Sequence, residues 1–207
     1  MQYVLRVPSK AADTAELPLV VVMHGRGADA NDLADLAPYL DRGYRFVFPN
    51  APKPFMPMPG YTFGFTWFDG WPAERGSLVE SRELLLQFVD EMVAKYPTPP
   101  GKVILAGFSQ GALMAIDVGF RTTVELAGIV MMSGALYEDL PQFRSDIPVQ
   151  IVHGMDDDVI PVLFARKARR VLENNGLDVD YHEFPMGHQV SEESMAAVAD
   201  FMARRLL

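Results

Sequence analysis

The chain predicts an α/β fold, a mostly parallel central sheet with helices on both faces, on three observations. Short β-rich runs alternate with segments of helical period as far as the C-terminus. Several of these runs are apolar throughout, as strands shielded on both sides by crossover helices must be. The 207 residues, 49% of them hydrophobic, can bury one sizeable core, so a single domain over 1–207 is expected.

In chain order, the first expected strand is Tyr3 to Val7. Leu19 to His24 follows, a continuous apolar run of the kind a central parallel strand requires. Asn31 to Leu40 carries helical spacing, and Arg45 to Pro49 returns to a strand pattern. Ser77 to Lys95 reads as a long helix, with Ser77 as N-cap and Glu80 three residues on, the spacing of a capping box. The strand Lys102 to Gly107 runs directly into a helix from Gln110 to Arg121. Strands from Leu126 to Ser133 and Val149 to His153 come next, then a helix from Leu163 to Asn174, where Gly176 is placed for a left-handed C-terminal position. The strand Val179 to Phe184 and the helix Ser191 to Leu206 complete the series. There is no internal repeat, linker or low-complexity tail.

One segment breaks the alternation. Residues 51–76, "APKPFMPMPGYTFGFTWFDGWPAERG", hold five prolines between Pro52 and Pro72 and four glycines before Ser77, which prevents a long helix or central strand. Its aromatic and methionine content favours burial over disorder, and ordered loops of this length tend to be functional.

The formal charge of -9 disfavours nucleic acid and anionic membranes as partners. The apolar run "LPLVVVM" is too short for a spanning helix or a signal, so no membrane insertion and a cytoplasmic protein are expected. Cysteine is absent, which excludes disulfides, thiolate metal sites and a cysteine nucleophile.

Gly107-Phe108-Ser109-Gln110-Gly111 fits G-x-S-x-G, a tight strand-to-helix turn that exposes a strained serine. The glycines two before and two after Ser109 have a steric purpose, because side chains there would collide as helix and strand close on each other. Ser109 is therefore the candidate nucleophile, and a serine hydroxyl needs a base later in the chain with an acid between them. Of the four histidines, His24 and His153 each end a strand before a glycine, and His182 sits at a solvent-facing strand position. His188, in "FPMGHQVSEE", lies between a strand and a helix, at the sheet edge where Ser109 also emerges, and is the candidate base.

The acid is expected from "HGMDDDVIP", where Asp156, Asp157 and Asp158 compete. Adjacent carboxylates repel, so at most one turns inward; composition does not choose among them. Three carboxylates could suggest a calcium or magnesium site, but they lack the alternating ligands of an EF-hand loop, so no metal is expected. For the oxyanion, one donor is the N–H after the nucleophile, at Gln110, and another lies in "VVVMHGRGAD", where Gly25 and Gly27 let the backbone turn the Arg26 amide inward.

Taken in order and at these intervals, "HGRGAD", "WFD", "GFSQGA", "HGMDDDVIP" and "FPMGHQVS" resemble the phospholipase/carboxylesterase family of compact α/β hydrolases, which includes acyl-protein thioesterase-like enzymes. The resemblance spans nearly the whole chain and implies the α/β-hydrolase fold. It aligns the family's acid with Asp157, its histidine with His188 and its oxyanion positions with Arg26 and Gln110. It implies no metal or organic cofactor. A leucine often stands at the position of Arg26, whose guanidinium could pair with Asp29 or with an acidic substrate group.

The expectation is hydrolysis of a small-molecule carboxylic ester or thioester through an acyl-enzyme. Another acyl-transfer enzyme, a peptidase or acyltransferase, would share the same residues, and a non-catalytic binding protein of this fold would more plausibly have lost part of the set. Trp67, Phe65, Met56 and Met58 are expected to line an acyl pocket, with a core plug or a homodimer contact as alternatives.

Overall fold

The computed structural model describes residues 1–8, 15–40, 42–71, 73–137 and 142–207; Pro72, within the irregular loop, lies outside them. All seven expected strands form one sheet: β1 (Tyr3–Arg6), β2 (Leu19–Met23), β3 (Arg45–Pro49), β6 (Val103–Phe108), β7 (Leu126–Met132), β8 (Val149–Gly154) and β9 (Val179–Phe184). Two short strands, β4 (Lys53–Pro54) and β5 (Phe65–Thr66), pair with each other inside the loop. The main sheet runs β1-β3-β2-β6-β7-β8-β9, parallel throughout except for the antiparallel pair β1 and β3.

Strand alternation divides the apolar side chains between two cores. Val21, Leu105, Met131 and Ile151 face one side and pack with α2 (Arg75–Lys95), α3 (Gln110–Gly119) and α4 (Leu163–Asn174). Val22, Ala106, Val130 and Val152 face the other and pack with α1 (Ala37–Leu40) and α5 (Glu192–Leu206). Both faces are therefore dry, which is why β2 and β3 are buried along their whole length.

Two local expectations differ from the structure. The segment 31–40 forms a short 3-10 turn at Ala34–Leu36 followed by the four residues of α1, not one helix. Asp29 Oδ1 accepts the Asn31 N–H at 2.7 Å and tightens the entry, and Pro38 has no N–H with which to continue an α ladder. The long helix begins two residues before Ser77. Its N-cap is Glu74, whose carboxylate accepts the Gly76 and Ser77 amides at 2.9 and 2.6 Å. A charged acceptor answers two unpaired amides and the helix dipole at once, leaving Ser77 to bond Glu74 O and Asp69 N–H. Ser191 caps α5 as expected, and Gly176 takes φ +81° after α4.

The strand order places the site. From β3 at one side of β2 the chain returns through α2 to β6 on the other side, so the loops after β2 and β6 diverge and open a crevice at their C-terminal ends. Residues 24–28 and 109–111 occupy that crevice.

Candidate active site

Ser109 follows β6 with φ 54° and ψ -118°, in the left-handed half of backbone space that a side chain enters at a cost. The flanking glycines make the turn possible. A Cβ on Gly107 would overlap Gly111 O, and one on Gly111 would overlap the carbonyl oxygens of Met23 and His24 at the end of β2. The Ser109 amide is anchored across to β7, donating to Met132 O at 2.9 Å.

His188 and Asp157 arrive from the loops after β9 and β8, which lie against each other. A Cβ at Gly154 would overlap Met186 O and Gly187 O, and the amides of Met155 and Asp156 donate to Phe184 O and Met186 O at 2.8 and 3.1 Å. Of the three aspartates, Asp156 and Asp158 are exposed, while Asp157 is buried. Its Oδ1 accepts the Val159 and Ile160 amides at 3.0 and 2.8 Å, and its Oδ2 lies 2.8 Å from His188 Nδ1. A carboxylate oxygen so placed can only accept, so Nδ1 carries the proton and Nε2 holds a lone pair. The Ser109 hydroxyl, 2.9 Å from that Nε2, is therefore the donor. The structure thus brings Ser109, His188 and Asp157 into one hydrogen-bonded chain.

Beside it stand two main-chain N–H groups, on Arg26 after β2 and on Gln110 at the start of α3, with no hydrogen-bond partner among the described residues. The Arg26 loop is zipped to the aromatic segment: Gly27 N–H donates to Phe65 O and Phe65 N–H to Ala28 O, each at 2.8 Å. His24 braces it from below. Its Nδ1–H donates to Gly25 O at 2.7 Å, and its Nε2 accepts the Ala51 amide at 3.0 Å, which keeps the ring neutral; burial pushes its pKa down.

The side chain of Gln110 has a second task that the sequence did not reveal. Its Oε1 accepts the Trp67 amide at 2.8 Å and the Thr66 hydroxyl at 3.1 Å, and its Nε2 donates to Phe68 O at 2.7 Å. It therefore clamps "TWF" against the elbow. Trp67 is fully buried, its indole N–H on His24 O at 2.9 Å, and Ser81 Oγ bonds its carbonyl.

The four residues expected to line an acyl pocket differ widely in exposure. Trp67 is a core residue with no exposed surface, Phe65 is half-buried against the same core, and Met56 and Met58 project into solvent, 58% and 53% exposed. Met56 and Met58 follow β4, whereas Phe65 and Trp67 lie in and just after β5, so the two pairs sit on opposite limbs of the loop. The Arg26 guanidinium does not reach Asp29. It donates to Gly70 O at 2.7 Å and lies over the Phe55 ring at 6.0 Å, strapping the two limbs together. Next to Gly70, Trp71 meets Phe164 of α4 edge to face at 6.2 Å, with Val159 and Leu163 exposed nearby in sequence. These apolar groups were missed; the signal was "VIPVLF", too apolar for a solvated helix start that follows three aspartates.

Among the described residues no group of three or more His, Asp or Glu side chains is arranged to hold a metal ion, and no helix is long and apolar enough to cross a membrane. The comparisons agree with the motif order. A family model described as Phospholipase/Carboxylesterase matches residues 7–206. The chain is 30% identical over 224 residues to acyl-protein thioesterase 1 of Kluyveromyces lactis, covering 98% of this chain and 97% of that protein. It is 29% identical over 226 residues to acyl-protein thioesterase 1 of Neurospora crassa, covering 98% and 91%. Among solved structures, esterase PE8 superimposes with a TM-score of 0.81 at 29% identity, covering 98% of this chain and 99% of that one. A Bacillus cereus carboxylesterase shares the fold, with a TM-score of 0.82 at 20% identity over 99% and 94% of the chains.

Proposed function

Since the chain belongs to the phospholipase/carboxylesterase family, we propose that it hydrolyses carboxylic esters or thioesters through an acyl-enzyme on Ser109. The observation that carries this reading is the continuous chain from Ser109 Oγ through His188 to the buried Asp157, with bonds of 2.9 and 2.8 Å, set beside two unpaired amides. Ser109 Oγ attacks the carbonyl carbon while its proton passes to His188 Nε2. Asp157 supports the imidazolium, and the Arg26 and Gln110 N–H groups hold the oxyanion. The carbon–oxygen or carbon–sulfur bond then breaks, and His188 returns the proton to the departing alcohol or thiol. Water repeats the sequence: its proton goes to His188, its oxygen bonds the acyl carbon, and the Ser109 Oγ–carbon bond breaks to release the acid as His188 returns the proton to Oγ.

We assign the acyl group to the exposed apolar face of Trp71 and Phe164, because Trp71 follows Gly70, whose carbonyl the Arg26 guanidinium bonds. Labelling by a fluorophosphonate probe tests the reading. The folded wild type labels and Ser109→Ala does not; equal labelling of both would reject it. A panel of short, long and aromatic acyl esters and thioesters then fixes the preferred bond and chain.

A further inference from the structure

His153 closes β8 with its ring fully buried, and the mechanism above gives it no part. The other inward side chains of that strand, Val149 and Ile151, are apolar core. An imidazole in such a place has a desolvation cost that valine would not have. Its bonds supply a reason. Nε2 lies 2.7 Å from Ile160 O, an atom that only accepts, so Nε2 carries the ring proton. The same nitrogen stands 3.3 Å from Asp157 Oδ2, the oxygen that holds His188 Nδ1–H. Ile160 is engaged in both directions: its carbonyl takes the His153 proton while its own N–H donates to Asp157 Oδ1 at 2.8 Å. Burial pushes the His153 pKa down, and Nδ1 has no partner among the described residues, so the ring acts as a neutral donor.

We propose that His153 is a positioning residue for the acyl-transfer chemistry: by holding Ile160, whose N–H grips Asp157 Oδ1, it fixes the carboxylate with Oδ2 facing His188. The inference rests on the Ser109–His188–Asp157 reading and extends the chain by one buried member. It concerns geometry more than filling. The position needs a donor at the depth of Nε2, because a ring without one would leave Ile160 O unpaired and loosen the turn whose Val159 and Ile160 amides hold Asp157 Oδ1.

Three variants separate these roles. Glutamine reaches as far as Nε2 and can donate to Ile160 O; asparagine is polar but too short; phenylalanine keeps the ring and loses the donor. For each, kcat and KM on a p-nitrophenyl ester, the unfolding midpoint and the low-field proton resonance of His188 Nδ1–H are measured. His153→Phe and His153→Asn are expected to lose kcat by on the order of tenfold, as for one lost hydrogen bond, with KM changed by less than about threefold. Their low-field resonance broadens or moves upfield. His153→Gln keeps the resonance and most of kcat. If His153→Phe retains wild-type kcat and resonance, or if all losses simply follow the unfolding midpoints, the proposal is overturned. Should His153→Phe fail to fold, the Gln and Asn pair decides: equal kcat and equal resonances overturn it. A wild type that does not label with fluorophosphonate would instead reject the function reading, and the resonance would still report whether His153 holds Asp157.

Discussion

Replacing Gln110 by leucine removes a side chain that makes three bonds to the "TWF" segment while leaving the main-chain N–H of residue 110 in place. The cost can be worked bond by bond. Phe68 O loses the Gln110 amide but keeps the Thr66 hydroxyl at 2.8 Å, so neither of those groups is orphaned. The Trp67 N–H, inside a fully buried residue, loses its acceptor outright. One buried unsatisfied amide costs roughly 1–3 kcal/mol and each of the other two lost bonds about 1 kcal/mol, so the expected loss is about 3–5 kcal/mol. Against a total stability of about 5–15 kcal/mol that is large. Urea unfolding reads it as a lower midpoint at unchanged slope. Because the clamp also ties the aromatic loop to the elbow, kcat/KM falls although the proposed oxyanion donor is intact. Gln110→Glu sharpens the test. An ionised carboxylate offers Phe68 O no proton, whereas a protonated one restores the donor, so burial raises the folded-state pKa. This variant is therefore weakest near neutrality and recovers relative to wild type as pH falls through that raised pKa. A Gln110→Leu protein within about 0.5 kcal/mol of wild type, with unchanged kcat/KM, would refute the clamp.

Gly111→Ala is expected to abolish the folded state, since its Cβ meets two β2 carbonyl oxygens that cannot retreat without breaking the sheet; circular dichroism and soluble yield check it. The histidines set a second expectation. His24 and His153 both have pKa values held below normal by burial, so the unfolded chain takes up protons that the folded chain refuses. Their stability contribution is present above about pH 6.5 and lost as pH falls below it, by up to about 1.4 kcal/mol per pH unit for each group. Unfolding at pH 7.5, 6.5 and 5.5 measures the slope, which flattens when both are replaced by glutamine. Arg26→Ala cuts the exposed bond to Gly70 O and leaves the Arg26 amide position intact. Stability then changes by less than about 1 kcal/mol; hydrogen exchange at Gly70 and Trp71 rises, and KM for long acyl chains moves more than kcat.

The sheet was legible because its evidence is redundant. β2 and β6 are covered on both faces, so their residues are apolar or glycine throughout; β8 keeps that pattern except at Gln150 and His153. Ser109 was legible for a related reason: Gly107 and Gly111 touch backbone atoms where no side chain fits, which leaves a mark in the sequence itself. The cap of α2 was not, because Glu74 uses a long carboxylate to reach Gly76 and Ser77, while the sequence offered a serine with the usual spacing. Nor was the fate of the aromatics. Trp67 and Trp71 lie four residues apart in the same loop, yet one is sealed under His24 and Gln110 and the other is half open to solvent beside Phe164. That difference depends on partners distant in sequence, which local composition does not encode. The choice of Asp157 among three neighbours has the same origin, since the Val159 and Ile160 amides and His153 select the one carboxylate that turns inward.

Arg26 joins two properties at one codon. Its main-chain nitrogen faces the crevice whatever side chain is attached, while its guanidinium ties Gly70 to the ring of Phe55. Mutation there can therefore loosen or tighten the aromatic loop without moving that nitrogen. A change of side chain at position 26 thus acts on the loop and the backbone amide separately.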